Sequence, residues 1–140
     1  MNEAGGWDFE DLEIGTTSSF SKTVTDADIV LFAGISGDTN PVHLDHDYAS
    51  GTMFKGRIAH GMLTAAFLSA VLGARMPGPG AIYLSQSLRF RAPVRIGDTV
   101  RARATVTALD AKRRRATLEC TVGDTVVVDG EAVVMVPARV

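Results

Sequence analysis

A chain of 140 residues with 46% hydrophobic content is the size of one domain and has the material for a sizeable core. Its formal net charge of −2, from 14 Lys and Arg against 16 Asp and Glu, lacks the basic excess that a nucleic-acid binder carries. The single cysteine, Cys120, excludes an intrachain disulfide and a cysteine-rich metal site, and it fits a reducing compartment.

Residues 1–11 carry acidic side chains and no apolar core, so no secretory leader is expected there. Residues 17–25 alternate loosely and predict an edge strand. Thr25 precedes Asp28 by three residues, a capping-box spacing. The helix that it opens runs over residues 27–35, with Ile29, Phe32, Ala33 and Ser36 near one face and Gly37 placed to end it. The run Gly37-Asp38-Thr39-Asn40-Pro41-Val42-His43 follows. Pro41 has no N–H to donate and pushes Asn40 toward an extended conformation, while Gly37 can turn where other residues cannot. The run therefore reads as a bend rather than regular helix, and it brings Asp38 and His43 over one small volume. A short helical turn is expected over residues 45–49, with His46 at the surface.

Residues 61–75 predict a second helix that is apolar nearly all round, through Met62, Leu63, Ala65, Ala66, Phe67, Leu68, Ala70, Val71 and Leu72. Such a helix belongs inside something. Its apolar segment is too short to span a bilayer, so no membrane partner is expected. Pro77-Gly78-Pro79-Gly80 stops it. Strands are predicted over residues 81–90, 99–109, 115–122 and 125–136. The turns between them are short, so the strands are antiparallel neighbours. Cys120 falls in one of them as a small buried hydrophobe, and Arg113-Arg114-Arg115 forms a solvated hairpin tip. Arg89 and Arg91 alternate with Leu88 and Phe90 and point away from the apolar face. This pattern alone gives an α+β fold with a helix packed on a sheet.

A carboxylate and an imidazole facing one water are what addition or removal of water across a double bond requires. Taken in isolation, Asp38 and Asn40 also read as ordinary turn residues and His43 as a satisfied polar group. The Asn40 amide could hold the water or fix Asp38. If Gly61 begins the buried helix, its N–H has no intrahelical acceptor and sits at the positive end of the helix dipole, which suits a developing negative oxygen. His60 reads as structural, a cap or the partner of a backbone carbonyl. Three histidines without a cysteine cluster show no zinc spacing, and no Gly-rich phosphate loop is present.

The segment Phe32-Ala33-Gly34-Ile35-Ser36-Gly37-Asp38-Thr39-Asn40-Pro41-Val42-His43-Leu44-Asp45, followed by Ala59-His60-Gly61-Met62, resembles the MaoC-like (R)-specific enoyl-CoA hydratases of the hot-dog superfamily. Tyr83-Leu84-Ser85-Gln86-Ser87-Leu88 and Ile96-Gly97-Asp98 continue the similarity, which covers roughly residues 10–137. The resemblance implies a single MaoC-like hot-dog domain over residues 1–140, an antiparallel sheet wrapped around a long central helix. It implies a hydro-lyase that interconverts trans-2-enoyl-CoA and (3R)-3-hydroxyacyl-CoA and could supply polyhydroxyalkanoate synthesis. Asp38, His43 and Asn40 would be catalytic, Gly61 would form the oxyanion hole, and Ser69 and Leu72 would line the acyl pocket. The acyl-CoA thioester would be the substrate, with no cofactor and no metal, in a cytoplasmic homodimer.

Three other readings stand beside it. A (3R)-3-hydroxyacyl-[acyl-carrier-protein] dehydratase would need a basic patch for its carrier, from Arg89, Arg91 or Lys55. A hot-dog thioesterase generally lacks the Asp-x-Asn-Pro-x-His run. A non-catalytic acyl-CoA-binding domain would have no use for Asp38 and His43.

Overall fold

Thr25 opens the first helix, α1 (Asp26–Ser36), with a closed capping box: its hydroxyl accepts from the Asp28 N–H, and the Asp28 carboxylate accepts from the Thr25 N–H. Gly37 ends α1 in the left-handed region, at φ 79°, where a side chain would be strained. The structure is a computed structural model describing residues 1–140.

The segment read as a bend is partly helical. Pro41 takes the first position of a short helix, α2 (Pro41–Leu44), where its missing N–H costs nothing, and Asn40 caps it by accepting from the Val42 N–H. Proline here starts a helical turn rather than preventing one. A second short helix, α3 (His46–Ser50), is capped by Asp45.

The long helix α4 (Gly61–Ala74) packs on an antiparallel sheet. Its strands are β1 (Thr17–Thr23), β2 (Ile82–Gln86), β3 (Arg89–Phe90), β4 (Thr99–Asp110), β5 (Arg115–Val122) and β6 (Val128–Met135). The order is β1-β4-β5-β6-β2, with β3 also paired to β6. Alternate residues of the three central strands face α4: Val100, Ala102, Ala104 and Val106, then Ala116, Leu118, Cys120 and Val122, then Val128, Ala132 and Val134. Small residues in the middle of that face let the helix approach, and Leu68, Val71, Leu72 and Met76 fill the space completely. Each such Leu or Val contributes about 1.5–3 kcal/mol by leaving water.

The strand expected over residues 81–90 is broken into β2 and β3, with a register shift between Tyr83 and Ser85. The break lets the chain at Ser87 press onto β6 at Gly130, where a Cβ would lie 1.8 Å from the Ser87 carbonyl oxygen. Only glycine allows that approach.

One expectation is corrected. α4 is apolar nearly all round, yet the sheet covers only one side of it. Met62, Ala66, Ser69 and Gly73 form an exposed stripe along the other side. No helix is long and apolar enough to cross a membrane. The whole is the α+β hot-dog arrangement, a sheet curled around one long helix.

Candidate active site

Two segments far apart in sequence, residues 37–43 and 57–61, are stitched together by four hydrogen bonds. The Ile58 N–H donates to the Val42 carbonyl at 3.3 Å. Arg57 Nε donates to the His43 carbonyl at 2.7 Å. His43 Nδ1 donates to the Ile58 carbonyl at 2.8 Å, and His60 Nε2 donates to the Asp38 carbonyl at 2.9 Å. The last two are reciprocal: each segment sends an imidazole to the backbone of the other.

A carbonyl only accepts, so these contacts fix both tautomers. Neutral His43 carries its lone pair on Nε2, and neutral His60 carries its lone pair on Nδ1. The two rings stack, with centroids 3.9 Å apart and planes at 29°. Phe32 tilts against His60 at 4.9 Å, centroid to centroid. His43 and His60 are 8% and 1% exposed. His60 Nδ1 is buried with no hydrogen-bond partner, an arrangement that costs on the order of 1–3 kcal/mol.

Asp38, in contrast, is exposed. Its N–H donates to Ser36 Oγ at 3.1 Å, and its carboxylate accepts from the Asn40 N–H at 3.2 Å. One carboxylate oxygen of Asp38 and one ring nitrogen each from His43 and His60 lie within 4.8 Å of one another, so a single water can bridge base and imidazole.

These groups border a cleft of about 510 Å³ whose wall includes Asp38, His60, Gly61, Phe90, Met53 and Met62. His43 is not among the wall residues; its ring stacks on that of His60, which is. Gly61 heads α4, and the first N–H groups of a helix have no acceptor within it. A Cβ at Gly61 would lie 2.6 Å from Phe90 Cδ1, so glycine gives the cleft its width at that point. Arg91, also on the cleft wall, pairs with Asp129 at 2.9 Å.

The residues singled out in the sequence are only partly brought together. Asp38, His43 and Gly61 converge. Asn40 is exposed, and its side-chain oxygen is spent on the Val42 N–H; it reaches Asp38 through its backbone. Ser69 is on the exposed stripe of α4, and Leu72 is buried in the core at 1% exposure; neither lines this cleft. His60 meets a backbone carbonyl, as its sequence position suggests, but its stacking on His43 at the cleft wall is not legible in sequence. Phe90, Met53 and Met62 carried no motif that marks a cleft wall. Cys120 lies in the core, and burial pushes its thiol up to about 11.

Asp38, His43 and His60 are also the one grouping whose donor atoms are close enough to suggest a metal. The stack opposes it. Both imidazoles already donate one ring N–H to a backbone carbonyl, and their rings are stacked face to face at 3.9 Å rather than splayed around a common centre, which zinc coordination at about 2.0–2.1 Å per nitrogen calls for.

Comparison with known proteins agrees with this geometry. The MaoC like domain family matches residues 11–129. The chain is 60% identical over 133 residues to the (R)-specific enoyl-CoA hydratase of Rhodospirillum rubrum, covering 94% of this chain and 92% of that protein. It is 56% identical to the 3-hydroxybutyryl-CoA dehydratase of Methylorubrum extorquens, over 94% of this chain and 85% of that one. Its fold superposes on the unliganded R-hydratase PhaJ1 of Pseudomonas aeruginosa with a TM-score of 0.90 at 42% identity, covering 96% of this chain and 88% of the other. A family match across most of the chain, close relatives along nearly their whole length, and a carboxylate–imidazole pair beside a helix N-terminus agree: the chain belongs to the MaoC-like family of hot-dog proteins.

Proposed function

We propose that this chain is an (R)-specific enoyl-CoA hydratase, a hydro-lyase that reversibly adds water to trans-2-enoyl-CoA to give (3R)-3-hydroxyacyl-CoA. The observation that carries the proposal is the Asp38 carboxylate on the cleft wall, within 4.8 Å of imidazole nitrogens of His43 and His60 and beside the N-terminus of α4. The handedness and the coenzyme A carrier are supported by the Rhodospirillum rubrum relative, which is an (R)-specific enoyl-CoA hydratase.

A water held between Asp38 and His43 faces C3 of the enoyl group. As its oxygen bonds to C3, Asp38 takes one of its protons. The electron pair of the C2–C3 double bond moves toward the thioester, whose oxygen gains negative charge. The Gly61 N–H, with the positive end of α4 behind it, stabilises that oxygen. C2 then receives from the same side the proton that Asp38 took from the water, so OH and H add to one face and the Asp38 carboxylate is regenerated. His43 orients the attacking water: its Nδ1–H is fixed on Ile58, which leaves the Nε2 lone pair to accept a hydrogen bond from that water. Asn40 keeps Asp38 in place through its backbone N–H and caps α2. No step of this reading calls on a cofactor.

Residues 1–140 read as one such domain, working as a homodimer. The open α4 stripe and the exposed apolar residues Ile82, Tyr83 and Leu84 of β2 support a second copy. Ser69 lies on that stripe, so a partner laid along it would turn Ser69 into a joint-lining residue. A cytoplasmic location fits Cys120, and polyhydroxyalkanoate supply fits the (3R) product.

The test is loss of the enoyl-thioester absorbance of crotonyl-CoA, with product stereochemistry checked on a chiral column. Wild-type protein should form (3R)-3-hydroxybutyryl-CoA, and Asp38→Asn should lose about 10²–10⁴-fold in kcat. An Asp38→Asn variant with full activity would sink the mechanism.

A further inference from the structure

We propose that His60 is a positioning residue for the hydration, holding Asp38 in register with His43. The proposal rests on the hydratase reading and names a residue outside the base, the imidazole partner and the oxyanion donor.

Three observations carry it. First, the only hydrogen bond of the His60 side chain goes to the backbone of the proposed base: Nε2 donates to the Asp38 carbonyl at 2.9 Å. Second, the His60 ring is held from two sides, by His43 at 3.9 Å and Phe32 at 4.9 Å, so it has a defined position to transmit. His60 is on the cleft wall and His43 is not, so the His60 ring is the surface against which His43 is set. Third, a residue serving packing alone would be apolar here. His60 is 1% exposed and keeps Nδ1 without a partner, a feature that native interiors rarely retain without use. One ring thus fixes the angle of one catalytic side chain by stacking and the height of the other by hydrogen bonding. Asp38 needs this, because its carboxylate is exposed and sits on a loop whose other restraints are Ser36 and Asn40.

The test uses the full chain and two variants that separate the two contacts. His60→Gln offers an amide N–H near the place of Nε2 and removes the ring. His60→Phe keeps a stacking ring and removes the N–H. Each should lower kcat for crotonyl-CoA by about tenfold or more while KM stays within about twofold, and His60→Ala, lacking both contacts, should lose about 10²-fold. Circular dichroism and the melting temperature establish that each variant is folded. Loss of stability with unchanged kcat in the folded fraction, or a rise in KM with unchanged kcat, would overturn the proposal.

A measurement on the wild type is independent of variant folding. Imidazole ¹⁵N shifts of histidine-labelled protein should show His60 protonated at Nε2 and bare at Nδ1, and the opposite tautomer would overturn it. If wild-type protein hydrates no enoyl thioester while His60 shows the expected tautomer, the hydratase reading fails and the positioning role loses its reaction. Activity in the wild type with no kcat effect at His60 fails the positioning role alone.

Discussion

Gly61→Ala tests the narrowest point of the cleft. The added Cβ would lie 2.6 Å from Phe90 Cδ1 and 2.8 Å from Cε1. Ordinary carbon contacts are about 3.5–4.0 Å, so the ring must retreat by roughly 1 Å. Phe90 is 54% exposed and has room to move, which puts the cost at the lower end of the overpacking range, about 1–2 kcal/mol, or a fall of roughly 2–8 °C in Tm. Activity should suffer more than stability. A wall displaced by about 1 Å shifts the thioester away from the Gly61 N–H, and misplacement of that size costs about 10²-fold. The assay is kcat with crotonyl-CoA beside thermal melts for Gly61→Ala, Phe90→Ala and the double variant. If the clash is the cause, removing the ring in the Gly61→Ala background restores Tm and most of kcat, because the N–H itself is intact. A double variant no better than Gly61→Ala would show that the contact with Phe90 is not what glycine avoids. Wild-type kcat in Gly61→Ala would refute the reasoning that the width of the cleft at Gly61 positions the thioester.

Arg57→Ala should lower stability by about 1–2 kcal/mol more than Asp26→Ala in urea titrations, because Arg57 also binds the His43 carbonyl whereas its pair with the 62% exposed Asp26 is screened by water. Leu72→Ala should cost about 2–5 kcal/mol, since the side chain is 1% exposed, and a cost under 1 kcal/mol would mean that it does not pack as described. Cys120 gives a signed pH dependence. Its thiol is raised from about 9 to about 11 in the fold by burial, so its contribution is fully present below pH 9 and fades as the unfolded thiol ionises toward pH 11. Wild-type protein should lose up to about 2–3 kcal/mol over that window relative to Cys120→Ala, and a thiol reagent should label Cys120 only on unfolding.

Much of this fold was legible because its signals are local. The Thr25 to Asp28 spacing became a closed capping box, and Gly37 became a left-handed helix end. The β4, β5 and β6 hairpins followed from their turn residues. The effect of Pro41 is not legible from its identity, because its consequence depends on position: inside a helix it breaks, at the first position it starts. The break between β2 and β3 depends on a contact between Ser87 and Gly130, 43 residues apart, that no window of sequence contains. In the site, Asp38, His43 and Gly61 could be named from their motif. The side-chain direction of Asn40 could not, since its amide serves the Val42 N–H rather than the Asp38 carboxylate. The exposure of Ser69 was equally hidden, because a helix that is apolar all round does not say which side the sheet leaves bare.

The four bonds between residues 37–43 and 57–61 begin and end within one 25-residue stretch. The catalytic geometry is therefore written almost entirely inside that stretch, and the sheet contributes support rather than ligands. A block from Gly37 to Gly61 should behave as a transferable cassette, able to keep its internal geometry on another hot-dog scaffold that offers a long helix and a loop carbonyl for the Ala59 N–H to meet, as that of Val94 does here. The same autonomy frees the remainder of the chain: strands β4 to β6 can drift in sequence, so long as they stay small and apolar on one face, without disturbing how the two halves of the motif hold each other.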